Sequence, residues 1–244
     1  MQRIMKEFFL LKTIFCSLLL NGFIFGAIAA PAQDVEFTKL PDGSQYKGDL
    51  KYNVIRDGQG YNKWPNGREY TGQWFNDQPH GKGKLVFPDG GYYKGEFVYG
   101  SYHGFGQLKE KDTVFTGQFQ HGEQSGIGLL ESVNDEYFLG EFYRTKKHGR
   151  ILFFASATSK PELQIWVNDE LDRNIKRDNP TDMQLYDEFV NQIMTMARDY
   201  QSVQLKRIRM SRQGGVRRQM DKVENPIEHT FGQKVIQLLE LYNE

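Results

Sequence analysis

Tyr70-Thr71-Gly72-Gln73-Trp74, followed by Gly81-Lys82-Gly83-Lys84-Leu85, decides the fold because the chain keeps returning to it. An aromatic residue, a glycine two places on and a second large apolar residue two places beyond occur five times. The copies are Tyr46-Gly48-Leu50, Tyr70-Gly72-Trp74, Tyr93-Gly95-Phe97, Phe115-Gly117-Phe119 and Phe138-Gly140-Phe142, starting 24, 23, 22 and 23 residues apart. Each is followed by a glycine pair (Gly58 and Gly60, Gly81 and Gly83, Gly104 and Gly106, Gly126 and Gly128), except that Ile151 follows Gly149 in the last. A fixed period of this length marks a repeat architecture. Side chains alternate across a strand, so both aromatics and the intervening glycine of each copy share one face. The simplest packing lays rings such as Tyr70 and Trp74 over the bare glycines, and two such segments per unit predict a hairpin per unit.

Working outward, Leu40-Pro41-Asp42-Gly43, Trp64-Pro65-Asn66-Gly67 and Phe87-Pro88-Asp89-Gly90 place a turn before each of the first three copies. Proline presets φ there and glycine accepts a positive one. Residues 35–40 then supply a lone strand covering the start of the array. These residues resemble the membrane occupation and recognition nexus (MORN) repeat, most closely over 70–92 and 93–114. The resemblance implies a mainly β fold: an elongated, single-layer, antiparallel sheet of hairpins over 35–154, with nearest-neighbour stability. It also implies a scaffold role, with lipid contact as a suggestion carried by the family's name.

Charge gives no lead, since 31 basic residues balance 31 acidic ones and the repeat region is equally even. Arg3, Lys6 and Lys12 precede an apolar run over 13–28 that closes on small residues, the layout of a secretory signal peptide cleaved after Ala29. The expectation is an exported protein, periplasmic, envelope-bound or secreted. The alternative is an uncleaved N-terminal anchor, although the run is short of the roughly 20 residues a span requires. The single cysteine, Cys16, lies in this leader, so a disulfide framework is excluded.

Residues 155–180 read as a connecting strand, centred on Leu163 to Val167, and a charged linker. From 181 to 244 helix signals take over. Thr181 with Gln184 reads as a capping box after Pro180, and Phe189, Ile193, Met196, Tyr200 and Val203 form one helical stripe. Phe231, Val235, Leu238, Leu239 and Tyr242 mark a second amphipathic helix. Between them Lys206, Arg207, Arg209, Arg212, Arg217, Arg218 and Lys222 face only Asp221, a cluster able to contact an anionic membrane surface.

No motif carries catalysis. There is no phosphate loop between a strand and a helix, no serine elbow, and no cysteine outside the leader. His80, His103 and His148 align across repeats, but equivalent positions in adjacent hairpins stand roughly 9–10 Å apart, too far to share one zinc ion. The expectation is a protein with no enzymatic activity, no cofactor and no metal. Tyr70, Trp74, Tyr93, Phe97, Phe115 and Phe119 are the expected binding face for a protein partner or for the chain's own C-terminal helix. Lys206, Arg207, Arg209, Arg212, Arg217 and Arg218 are the expected contacts to an anionic surface. Nucleic acid is not an expected partner, and homo-oligomers are an allowed outcome of exposed sheet ends.

Overall fold

A computed structural model describes residues 36–176, 178–213 and 227–240. Thirteen strands form one open antiparallel sheet in which each strand neighbours the next in sequence. Strand β1 (Thr38–Lys39) pairs with the first hairpin, β2 (Gln45–Lys51) and β3 (Ile55–Lys63). The following repeats are β4 (Glu69–Phe75) with β5 (Gln78–Val86), β6 (Tyr92–Val98) with β7 (Ser101–Lys109), β8 (Thr113–Gln120) with β9 (Glu123–Ser132), and β10 (Tyr137–Tyr143) with β11 (Lys146–Phe154). A sixth hairpin, β12 (Glu162–Val167) and β13 (Glu170–Asn174), continues the sheet through the stretch read as connecting strand and linker. All five residues of β13 are exposed, so it lacks the apolar alternation that would have marked it as a strand.

Two kinds of turn alternate. Between repeats, Gly43, Gly67 and Gly90 take positive φ and donate to Leu40, Trp64 and Phe87. The preceding Asp or Asn side chain accepts the next free amide, as Asp42 does from Ser44 and Asn66 from Arg68. Within repeats the strands are joined by two-residue turns with positive φ at both positions: Asn76-Asp77, Tyr99-Gly100, His121-Gly122 and Arg144-Thr145. That geometry matches the right-handed twist of the strands. The second residue of each turn donates its N–H to the previous repeat, Asp77 to the Arg56 carbonyl and Gly100 to that of Pro79, so each hairpin docks on the one before.

Helix α1 (Pro180–Gln213) starts on Asn179, whose side chain accepts from the Thr181 amide and whose carbonyl accepts from Met183. Asn179 is therefore the cap and Pro180 the first helical residue, in place of the expected capping box on Thr181. Helix α2 (Ile227–Glu240) packs on α1 where Gly232 meets the Ala197 carbonyl. Residues 214–226, between the two helices in sequence and including Gly214-Gly215, lie outside the described residues.

The two faces of the sheet differ. One cross-strand row runs Lys47, Tyr61, Thr71, Lys84, Lys94, Gln107 and Thr116 from β2 to β8. From β9 onward the same row becomes Leu129, Leu139, Leu152 and Leu163. The four leucines are 0–1% exposed beneath Phe189, Ile193, Phe231 and Val235. Both helices thus cover the face where the row turns apolar, burying surface at about 25 cal/mol per Å². The opposite face carries the rings along the whole array.

Candidate functional site

The ring face is built by a division of labour within each glycine pair. The first glycine, Gly58, Gly81, Gly104, Gly126 or Gly149, has positive φ and forms a bulge that only glycine adopts without strain. In repeat two, His80, Gly81 and Lys82 stand opposite the single residue Gln73. The side chain of that opposing residue closes the bulge: Asp49 accepts from the Gln59 amide at 2.9 Å, Gln73 from Lys82 at 3.0 Å and Glu141 from Arg150 at 2.6 Å. Glu96 and Gln118 lie against Gly104 and Gly126 in the same way. The second glycine is the seat of the ring. A Cβ on Gly83 would lie 2.5 Å from Tyr70 Cζ, and one on Gly106 would lie 2.7 Å from Tyr93 Cζ.

The tyrosine hydroxyls donate to the carbonyl three residues on, Tyr46 to Asp49, Tyr70 to Gln73 and Tyr93 to Glu96, at 2.8 to 2.9 Å. Burial pushes the Tyr70 and Tyr93 hydroxyls far above the usual tyrosine range, and burial together with nearby Asp49 pushes Tyr46 up to about 12. These side chains stay neutral hydrogen-bond donors, unsuited to act as bases near neutral pH.

Second aromatics wedge between successive first aromatics. Trp74 meets Tyr46 at 5.8 Å and Tyr70 at 4.9 Å; Phe97 meets Tyr70 at 5.1 Å and Tyr93 at 5.0 Å. Phe119 meets Tyr93 at 5.0 Å and Phe115 at 5.3 Å, and Phe142 meets Phe115 at 5.0 Å. All are edge-to-face, the favoured arrangement of two aromatic quadrupoles. At the start of the ladder Leu50 stands where a ring would, and Arg56 lies over Trp74 at 4.9 Å while bonding Asp42, Asp77, Asn62 and Ser44. At the far end Ile151 fills the second glycine's place. Phe138 instead packs on Phe153 and Trp166, with Lys147 4.3 to 4.5 Å from the Phe138 and Trp166 rings.

Tyr70, Trp74, Tyr93, Phe97, Phe115 and Phe119 are 0 to 3% exposed. The expectation of an open face made of these six is corrected: they are the core of the sheet, sealed by one another and by their glycine seats. Nor does α2 lie on them, since Phe231 meets Phe105 on the other face. The apolar surface left on the ring side belongs to a second tier, Trp64, Leu85, Leu108, Leu130, Phe138 and Trp166, which is only partly buried. Three of these were readable as the residue two places after the second glycine, where Leu85, Leu108 and Leu130 recur. The bulge-closing acceptor was equally readable, as the Asp, Gln or Glu after each copy's central glycine.

His80 packs between Phe75 and Tyr99, His148 against Tyr143 and His103 against His121, all at the first bulge positions. Among the described residues no group of three or more His, Cys, Asp or Glu is placed to hold a metal ion. Lys206, Arg207, Arg209 and Arg212 lie in α1; Arg217, Arg218 and Lys222 fall outside the described residues. No helix of the described residues is long and apolar enough to cross a membrane.

The sequence matches the family profile described as MORN repeat over residues 70–92, 93–109 and 115–136. The chain carries MORN repeats. The matched units are hairpins two, three and four, those with both glycines and an aromatic wedge on each side. A similar protein is MORN repeat-containing protein 3 of Xenopus laevis, 30% identical over 136 residues, which are 53% of this chain and 45% of that protein. The match thus spans about half the length of that relative. MORN repeats suggest in general a binding or scaffold role, and proteins of the family are generally non-catalytic.

Proposed function

We propose that the protein is a non-enzymatic scaffold whose second-tier band on the ring face holds an amphipathic helix of a protein partner. The observation that carries this is the spacing of Leu85, Leu108 and Leu130 on β5, β7 and β9, each two strands from the next. Two strand spacings are about 9.6 Å, and seven residues of α-helix rise about 10.5 Å, so one apolar residue per heptad meets one leucine per repeat. The buried ladder beneath supplies a rigid floor, which lowers the ordering cost of binding.

Affinity capture from the protein's own cells tests this. Replacing Leu85 and Leu108 with Gln should abolish recovery of the partner while the melting profile stays intact. Undiminished recovery by the folded variant would refute the band as the site. Export after Ala29 is part of the proposal; its support is the leader, and the intact mass of the captured protein tests it.

A further inference from the structure

We infer that the turn margin of the helix-bearing face, from β5 to β11, together with the groove it forms against α1, binds a neutral glycan, an extended β-1,4-linked sugar chain. The aligned histidines lead to it. His80 lies 5.6 Å from the Phe75 ring and 5.2 Å from Tyr99, His103 lies 6.4 Å from His121, and His148 lies 5.9 Å from Tyr143. Phe75 and Tyr143 each follow a ring-face aromatic in their strands, so alternation puts them on the helix-bearing face. The histidines stand on β5, β7 and β11, so these panels of ring and imidazole follow one another about 9.6 and 19 Å apart. Phe75, Tyr99 and Tyr143 are 42, 60 and 50% exposed. Tyr99 and His121 also hold the first position of two-residue turns at φ values of 48° and 53°, where Asn or Gly would sit with less strain. Backbone strain of this kind clusters at ligand sites, and here it holds rings open to solvent.

Helix α1 supplies the facing wall. Its Gln192 accepts from Arg150 on β11, and its Tyr200 packs on Phe105 of β7. Two cavities of about 610 and 350 Å³ open along its flank and share Tyr200, whose hydroxyl hydrogen-bonds the Gln118 side chain. Glu188, Asn191, Thr195 and Asp199 line the first; His103, Gln118, Gln120 and Ser125 line the second, beside the Gly104 and Gly126 bulges. The side chains of Asn191, Asp199, Gln120 and Ser125 make no hydrogen bond or ion pair among the described residues.

A sugar ring presents C–H groups on its faces and hydroxyls around its edge. Exposed aromatic rings flanked by amides, hydroxyls, imidazoles and carboxylates match both. One interval of about 9.6 Å is close to a disaccharide unit of an extended β-1,4-linked chain, in which alternate sugars present the same face. Charge selects among glycans: Arg150, at one end of the groove, is paired with Glu141 at 2.7 Å, while Glu188 and Asp199 have no cationic partner among the described residues. A sulfated or uronic chain would meet free carboxylates, whereas a neutral one uses them as acceptors. A peptide finds less here, because β5, β7, β9 and β11 are paired on both sides and offer no open strand edge.

Isothermal titration calorimetry of the full chain with chitohexaose and with cellohexaose tests the assignment, with the matching disaccharides, heparin and a Lys-rich peptide as further arms. At least one hexasaccharide should bind, its disaccharide about tenfold more weakly, and heparin not at all. Tyr99→Asn with His121→Asn should weaken hexasaccharide binding by about tenfold. The melting temperature of that variant should stay level or rise, because Asn relieves the turn strain, and these opposite directions separate a binding role from a structural one. Failure of both hexasaccharides to bind, binding unchanged in the variant, or a preference for heparin would overturn the proposal. So would a Lys-rich peptide that binds, and is lost on Asp199→Asn, while the sugars do not bind.

Discussion

Gly83→Ala should cost the protein about 2 to 3 kcal/mol, although it adds a single methyl group to a surface strand. The added carbon would stand 2.5 and 2.6 Å from Tyr70 Cζ and Cε2, where ordinary carbon contacts need about 3.5 to 4.0 Å. Gly83 has no positive φ, so backbone strain does not contribute. If the ring stays, overpacking costs about 1 to 3 kcal/mol. If it slides off, about 100 Å² of its surface returns to water, worth about 2.5 kcal/mol, and the Tyr70 hydroxyl loses its bond to the Gln73 carbonyl. Both routes give the same order.

Urea unfolding followed by tryptophan fluorescence suits the measurement, because Trp74 touches Tyr70 at 4.9 Å and reports on this repeat. The decisive control is Gly83→Ala in a Tyr70→Ala background. Without the ring the three atoms nearest the added methyl are gone, and its cost should fall to a few tenths of a kcal/mol, leaving a coupling of about 2 kcal/mol. A cost below about 0.5 kcal/mol in the wild type, or an equal cost in both backgrounds, would refute the ring-seat account.

Gly232→Val should detach α2, because a side chain there meets the Ala197 carbonyl and the Gln201 amide; faster proteolytic cleavage within α2, with the strands unaffected, is the expected result. Changing Arg144-Thr145 to Asn-Gly should raise stability by about 1 kcal/mol in urea unfolding, since φ values of 50° and 68° strain a bulky and a β-branched residue. Alkali should weaken the fold. Burial raises Tyr46 from 10.0 to about 12, and hydrogen bonding to Asp135 with burial raises Tyr137 to about 12. A raised folded pKa contributes stability in full below pH 10, lost as pH rises toward 12, so thermal melts should fall across that window. Tyr46→Phe together with Tyr137→Phe should make the fall shallower, with the more strongly raised Tyr70 and Tyr93 carrying the remainder.

Strand identity and the hairpin repeat were legible because a ring that needs a glycine seat leaves a mark at fixed spacing in any one copy. Exposure was not legible from the same mark. Period-two alternation assigns Tyr70 and Phe97 to one face, but whether that face is open depends on how the rings of neighbouring repeats interlock, and the edge-to-face wedges close it. The two glycines of each pair looked equivalent, yet one is a positive-φ bulge and the other a seat, a distinction that arises only once Gln73 and its counterparts are seen opposite them. Strand β13 escaped notice because an edge strand exposed on both faces has no apolar period.

The scaffold reading stands or falls on which surface touches the partner. A photo-reactive side chain placed at position 108, on the second-tier band, and at position 133, exposed in the turn between β9 and β10, gives the most direct answer in cells. The account predicts a cross-linked partner from position 108 and none from position 133. Cross-links from 133 with none from 108 would contradict it.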